Sequence, residues 1–219
     1  MPMTFMIPAR HVELEAVLRE PHHRPVRGAA VVCHPHPAWG GTMDNRVVYR
    51  AAKAATEAGM AALRFNFRGV GRSTGSYDEG DGERLDAAAA ADWLFGRDPG
   101  IPLVMIGFSF GSWVGLDVGS RDPRVRALIG LGLPLNYYDF EFLVENEKPA
   151  LYLVSTNDEF CPRDRGDRLA GRLPAAATFR WIDATDHFFG GRLEAMQECI
   201  VEFLSAQVSG GFESWPLPR

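Results

Sequence analysis

The sequence predicts a doubly wound α/β fold: a mostly parallel sheet with helices on both faces and no lid domain. Three observations predict it. Continuous apolar runs such as Ala29-Ala30-Val31-Val32-Cys33 recur along the chain, as expected of strands buried on both faces. From residue 28 to residue 206 these runs alternate with segments of helical period, the pattern of parallel strands joined by crossover helices. The longest irregular connections, residues 68–82 and 134–148, are too short to fold as a separate lid. At 219 residues, with no linker, repeat or low-complexity tract, the chain reads as one domain spanning 1–219.

Each element has its own signal. Residues 4–7 and 12–18 alternate in polarity and read as antiparallel or edge strands. The run Pro21-His22-His23-Arg24-Pro25 is a turn, and residues 28–33 are the first fully apolar strand. Thr42 or Asp44 is expected to cap the next helix. Val47, Val48, Ala51, Ala54, Ala55 and Ala58 form its apolar stripe, and Gly59 stops it. A strand at 61–67, an Ala-rich helix at about 85–95, a strand ending at Ser109 and a helix to about 120 follow. Then come strands at 125–133 and 150–155, a short helix at 164–171 and a strand at 178–182. Leu193, Met196, Ile200, Phe203 and Leu204 stripe a last helix, and residues 212–219 read as a tail.

Composition narrows the function classes. A net charge of −5 offers no electrostatic footprint for nucleic acid. No apolar run is long enough to cross a bilayer, and residues 1–10 lack the features of a secretion signal. Cys33, Cys161 and Cys199 are an odd count without paired spacing, which fits reduced thiols in a cytoplasmic protein.

Chemistry enters at Gly107-Phe108-Ser109-Phe110-Gly111, where an apolar strand runs into Gly-x-Ser-x-Gly and then a helix. The bend must be sharp, so side chains two residues either side of Ser109 would collide. The pattern alone is weak, since Gly71-Arg72-Ser73-Thr74-Gly75 matches it too. Ser73, however, lies in a polar, Gly-rich run with no helix directly behind it, and reads as a loop residue. A serine nucleophile needs a base and an orienting carboxylate, and a doubly wound sheet gathers such groups after its strands. Asp158 follows the strand at 150–155, and His187 follows the strand at 178–182. The order Ser, Asp, His is that of α/β-hydrolases. Asp139 competes for the carboxylate role, whereas Asp183 and Asp186 stand too close to His187 in sequence.

Taken together, several motifs carry a resemblance across nearly the whole chain. They are His34-Pro35-His36-Pro37 with Gly40-Gly41-Thr42-Met43-Asp44-Asn45, and Phe65-Asn66-Phe67-Arg68-Gly69-Val70-Gly71-Arg72-Ser73. The Ser109 elbow, Asp158 with Pro162, and Asp186-His187-Phe188-Phe189 complete the set. The chain resembles the lidless bacterial α/β-hydrolases of the small serine esterase and dienelactone-hydrolase-like group. The resemblance implies an α/β-hydrolase fold and the triad Ser109, Asp158 and His187, and it marks the Ser73 segment as a family loop; no cofactor is expected. True dienelactone hydrolases use a cysteine nucleophile, where this chain has Ser109.

Two oxyanion donors are expected. One is the amide of Phe110, the residue after the nucleophile. The other lies in the loop after the first apolar strand, where related hydrolases carry His-Gly-x. Pro35 and Pro37 have no N–H, so His36 is the only donor between them. A shared metal on His34 and His36 lacks a third ligand, so no metal is expected. Trp39, Phe160 and Phe188 are expected to line an apolar pocket for a small acyl or aryl group. The expected activity is cleavage of small carboxylic esters, with peptide or thioester cleavage on the same triad as the alternative. A non-catalytic binding protein is the third class, opposed by the filled triad positions. The expected partner is a small-molecule ester, and the expected assembly is a monomer or homodimer.

Overall fold

The computed structural model describes residues 4–22 and 25–210, so His23, Arg24 and the 212–219 tail lie outside the described residues. The strands are β1 (Thr4–Ala9), β2 (Val12–Arg19), β3 (Ala29–Cys33), β4 (Ala61–Phe65), β5 (Leu103–Phe108), β6 (Val125–Leu131), β7 (Ala150–Ser155) and β8 (Ala177–Ile182). The helices are α1 (Arg46–Glu57), α2 (Asp81–Arg97), α3 (Phe110–Arg121), α4 (Arg163–Ala170) and α5 (Leu193–Ser209). One sheet runs in the order β1-β2-β4-β3-β5-β6-β7-β8. β2 pairs antiparallel with β1 and with β4, and every pairing from β4 through β3 to β8 is parallel.

Strand side chains alternate between faces, so successive residues enter different cores. Val31, Met105 and Leu128 pack with Ala87 of α2, Val114 of α3 and Leu169 of α4. Their neighbours Val32, Ile106 and Ile129 pack with Val48 and Ala51 of α1 and Ile200 and Leu204 of α5. Helices therefore cover both faces, as the apolar runs predict. β3 and β5 are neighbours, yet the chain leaves β3 toward the α1 face and β5 toward the α3 face. Their loops diverge above the strand ends and open a crevice there.

Some boundaries differ from expectation. Asn45, not Thr42 or Asp44, caps α1, accepting the Val47 amide at 2.9 Å. The Asn66 side chain takes the Met43 amide at 2.8 Å, which holds residues 42–44 in a turn and delays the helix. α2 starts four residues before the expected 85, because Glu83 accepts the amides of Asp78 and Gly80 and closes an extra turn. Two short 3-10 turns, Pro37–Trp39 and Glu141–Leu143, lie in segments expected to be irregular. Among the described residues no helix is long and apolar enough to cross a membrane.

Candidate active site

β5 ends in the crevice, and Ser109 is the bend between it and α3. Its φ of 56° and ψ of −124° are costly for any residue with a Cβ. The surroundings impose them. The Ser109 amide donates to the Leu131 carbonyl at 2.9 Å, and its carbonyl accepts the Ser112 amide at 2.8 Å and hydroxyl at 2.6 Å. Both flanking glycines are required. A Cβ on Gly107 would strike the Gly111 carbonyl, and one on Gly111 would lie 2.5 Å from the carbonyl oxygens of Cys33 and His34. The Phe110 amide opens α3 and has no intrahelical acceptor.

Ser73 is engaged differently. Its hydroxyl donates to the Asn66 carbonyl at 2.7 Å and accepts the Glu15 amide at 2.9 Å. Both functions of the group are spent on tying the 66–74 loop to β2.

His187 sits in the turn between β8 and α5. The Asp186 carboxylate accepts the amides of Phe188 and Gly190, each at 2.9 Å, and the fully buried Phe189 anchors the turn with a φ of 57°. The His187 ring stacks on Phe108 with centroids 4.9 Å apart. It also stands over Gly132, where a Cβ would come within 2.9 Å of it. Its Nδ1 is 2.8 Å from Asp158 Oδ2, with both side chains buried. The other Asp158 oxygen accepts the Phe160 amide at 2.9 Å. A carboxylate can only accept, so Nδ1 carries a proton, and in the neutral ring the lone pair is on Nε2. Nε2 is buried and has no hydrogen-bond partner, so the Ser109 hydroxyl is not bonded to it in this conformation. The rival carboxylates are elsewhere. Asp139 is exposed and caps the 141–143 turn by accepting the Glu141 amide, Asp183 faces Thr156, and Asp186 holds its own turn.

The loop after β3 is fixed by its two histidines. His34 Nε2 accepts the Phe67 amide at 3.0 Å, which leaves Nδ1–H to donate to the Pro35 carbonyl at 2.6 Å. Burial lowers the His34 pKa to about 4, so the ring is neutral. Both ring nitrogens are committed, and no group of three metal-ligating side chains occurs among the described residues. The His36 ring accepts the Ala38 amide through Nδ1 at 3.2 Å, capping the Pro37–Trp39 turn. Its Nε2–H must then donate to the Tyr77 hydroxyl, 3.2 Å away. Gly41 reaches back to the His36 carbonyl at 3.0 Å, so close to Pro35 that a Cβ would overlap it.

The residues expected to touch substrate form a chain of rings. Trp39 lies 4.4 Å from His36 and 6.0 Å from Tyr137, and Tyr137 lies 5.8 Å from Phe160. Phe160 lies 4.6 Å from His187, which lies 5.4 Å from Phe188. Trp39, Tyr137 and Phe188 are exposed, whereas Phe108, Phe110 and Phe189 are fully buried. Sequence reasoning missed Tyr77. It lies in the 68–82 connection with no periodic signal, and only the neighbouring loop after β3 gives it a partner.

Residues 28–200 match the family described as "Alpha/beta hydrolase domain". An uncharacterized protein of Rickettsia prowazekii is 37% identical over 184 residues, covering 80% of this chain and 77% of that protein. An alpha-beta serine hydrolase homologue from Coxiella burnetii matches with 34% identity and a TM-score of 0.86, over 91% of this chain and 96% of that one. A serine hydrolase without a lid from Xanthomonas campestris matches with 30% identity and a TM-score of 0.85, over 94% of each chain.

Proposed function

The chain belongs to the alpha/beta hydrolase family, in its lidless serine-hydrolase group, and from that premise we propose that it cleaves small carboxylic esters through Ser109, His187 and Asp158. The observation that carries the reading is the 2.8 Å bond from His187 Nδ1 to Asp158, which leaves Nε2 buried and unpartnered on a ring stacked against Phe108, the residue before the strained serine. In the proposed cycle, Nε2 takes the Ser109 proton as Oγ bonds to the acyl carbon. Asp158 holds the tautomer and stabilises the imidazolium. The amides of Phe110 and His36 receive the oxyanion, each worth about 3 kcal/mol. The imidazolium then protonates the leaving oxygen, and water, deprotonated by His187, releases the acyl group.

The rings of Trp39, Phe160 and Phe188 support a substrate that offers them an apolar face. No step in this cycle calls for a cofactor. The three unpaired thiols support a reducing, cytoplasmic setting. The test is a p-nitrophenyl ester series of increasing acyl length beside matched thioesters and peptides. Highest kcat/KM on short esters is expected. Preference for the thioester or peptide set would replace the ester assignment while leaving the triad in place.

A further inference from the structure

The crevice has two unlike flanks. Toward α3, Tyr77, Phe110, Trp113 and Tyr138 pack as an aromatic wall, with Trp113 stacked on Tyr138 at 4.2 Å. Toward α1 and α5, a cavity of about 520 Å³ opens between the loop after β3 and the loop after β8. Thr42, Asp44, Asn45, Arg46, Asp186 and Phe188 line it. We propose that this cavity seats the leaving group, and that the substrate is an ester of a neutral, hydroxyl-rich alcohol. The proposal rests on the reading of Ser109 and His187 as an ester-cleaving pair.

The imidazolium must hand its proton to the leaving oxygen, so the alcohol half lies against His187. Phe188 is the next residue, its ring 5.4 Å from the imidazole, and it is also a wall of the cavity. An alcohol leaving along the Phe188 side of His187 therefore meets this cavity.

Asn45 spends its oxygen on capping α1 and keeps its NH₂ group. Arg46 has no ion-pair partner among the described residues. Asp44 gives one oxygen to Arg64 at 3.0 Å and keeps the second, whereas Asp186 gives one oxygen to two amides and the other to the Thr185 hydroxyl at 3.4 Å. Donors and acceptors thus stand side by side. Arg46, with Arg64 behind the wall, balances Asp44 and Asp186. An anionic or cationic alcohol would meet like charge as readily as opposite charge. A hydroxyl both donates and accepts, so several hydroxyls on one carbon skeleton match the lining without net charge. A purely apolar alcohol would leave these groups without the partners water had given them. Trp39 and Phe188 are 65% and 49% exposed, so their faces are open to the C–H side of such a skeleton.

Glycerol monobutyrate and propyl butyrate share an acyl group and differ only in hydroxyls. Wild-type kcat/KM is expected to favour glycerol monobutyrate by about tenfold. In Arg46→Leu that ratio should fall toward unity. A second measurement is free of turnover: calorimetric titration of Ser109→Ala with each ester, glycerol monobutyrate binding the tighter. Equal wild-type kcat/KM for the two esters, with equal binding to Ser109→Ala, overturns the cavity assignment and leaves ester cleavage intact. If wild type cleaves neither ester but Ser109→Ala still prefers glycerol monobutyrate, the cavity assignment holds and the ester chemistry fails. Neither cleavage nor selective binding overturns both.

Discussion

Two serines share one sequence pattern, and their hydrogen bonds separate them. Ser73 spends its hydroxyl on the Asn66 carbonyl and the Glu15 amide. Ser73→Ala should therefore lower stability by about 1–3 kcal/mol in urea unfolding and keep turnover. Ser109→Ala should reduce kcat by at least ~10⁴-fold with unchanged unfolding. Asp158→Asn should reduce kcat by a similar ~10⁴-fold, because an amide at 2.8 Å from Nδ1 admits the wrong tautomer. His34 bears on stability instead. Its folded pKa of about 4 is below the ordinary 6.5, so the unfolded chain takes up a proton first as pH falls. The stability it contributes is present above pH ~6.5 and is lost between there and ~4, amounting to roughly 3 kcal/mol. Urea midpoints measured across that window should fall less steeply in His34→Gln than in wild type.

At the scale of elements, the elbow and the loop after β3 depend on close backbone approach. Gly111→Ala places a Cβ 2.5 Å from two carbonyl oxygens that cannot retreat without moving β3. The expected cost is roughly 4 kcal/mol or more, read as loss of soluble folded protein. The His36 ring tests the other loop. Asparagine can accept the Ala38 amide as the imidazole does, and alanine cannot. His36→Asn should keep kcat within several-fold, whereas His36→Ala should lose about tenfold in kcat with little change in KM. These loops also mark how far the sequence was readable. The bend at Gly107, Ser109 and Gly111, and the places of Asp158 and His187 after their strands, were legible because a bend, a strand end and a chain order constrain residue type locally. The start of α2 was not, since Glu83 closes its first turn onto amides whose own residues carry no helical period. Tyr77 was illegible for a related reason: its role comes from a partner on a loop after a different strand.

At the scale of the whole molecule, the order β4-β3-β5-β6 is what makes the crevice. Continuous apolar runs announced a two-sided sheet, and the sheet's two cores fall on alternate residues of those runs. The runs do not announce neighbours, so the pairing of β3 with β5, and the unlike flanks above it, had to come from the fold. The same divergence separates the aromatic wall from the polar cavity, and the proposed recognition of the leaving alcohol apart from the acyl half rests on that separation.

If Ser109 is the nucleophile and His187 its base, a fluorophosphonate reacts at one place, and mapping the adduct by peptide mass locates it. One phosphonyl group is expected on the Ser109 peptide, with labelling retained in Ser73→Ala, lost in Ser109→Ala and greatly slowed in His187→Ala. An adduct on the Ser73 peptide, or ester turnover that persists in Ser109→Ala, would contradict that assignment.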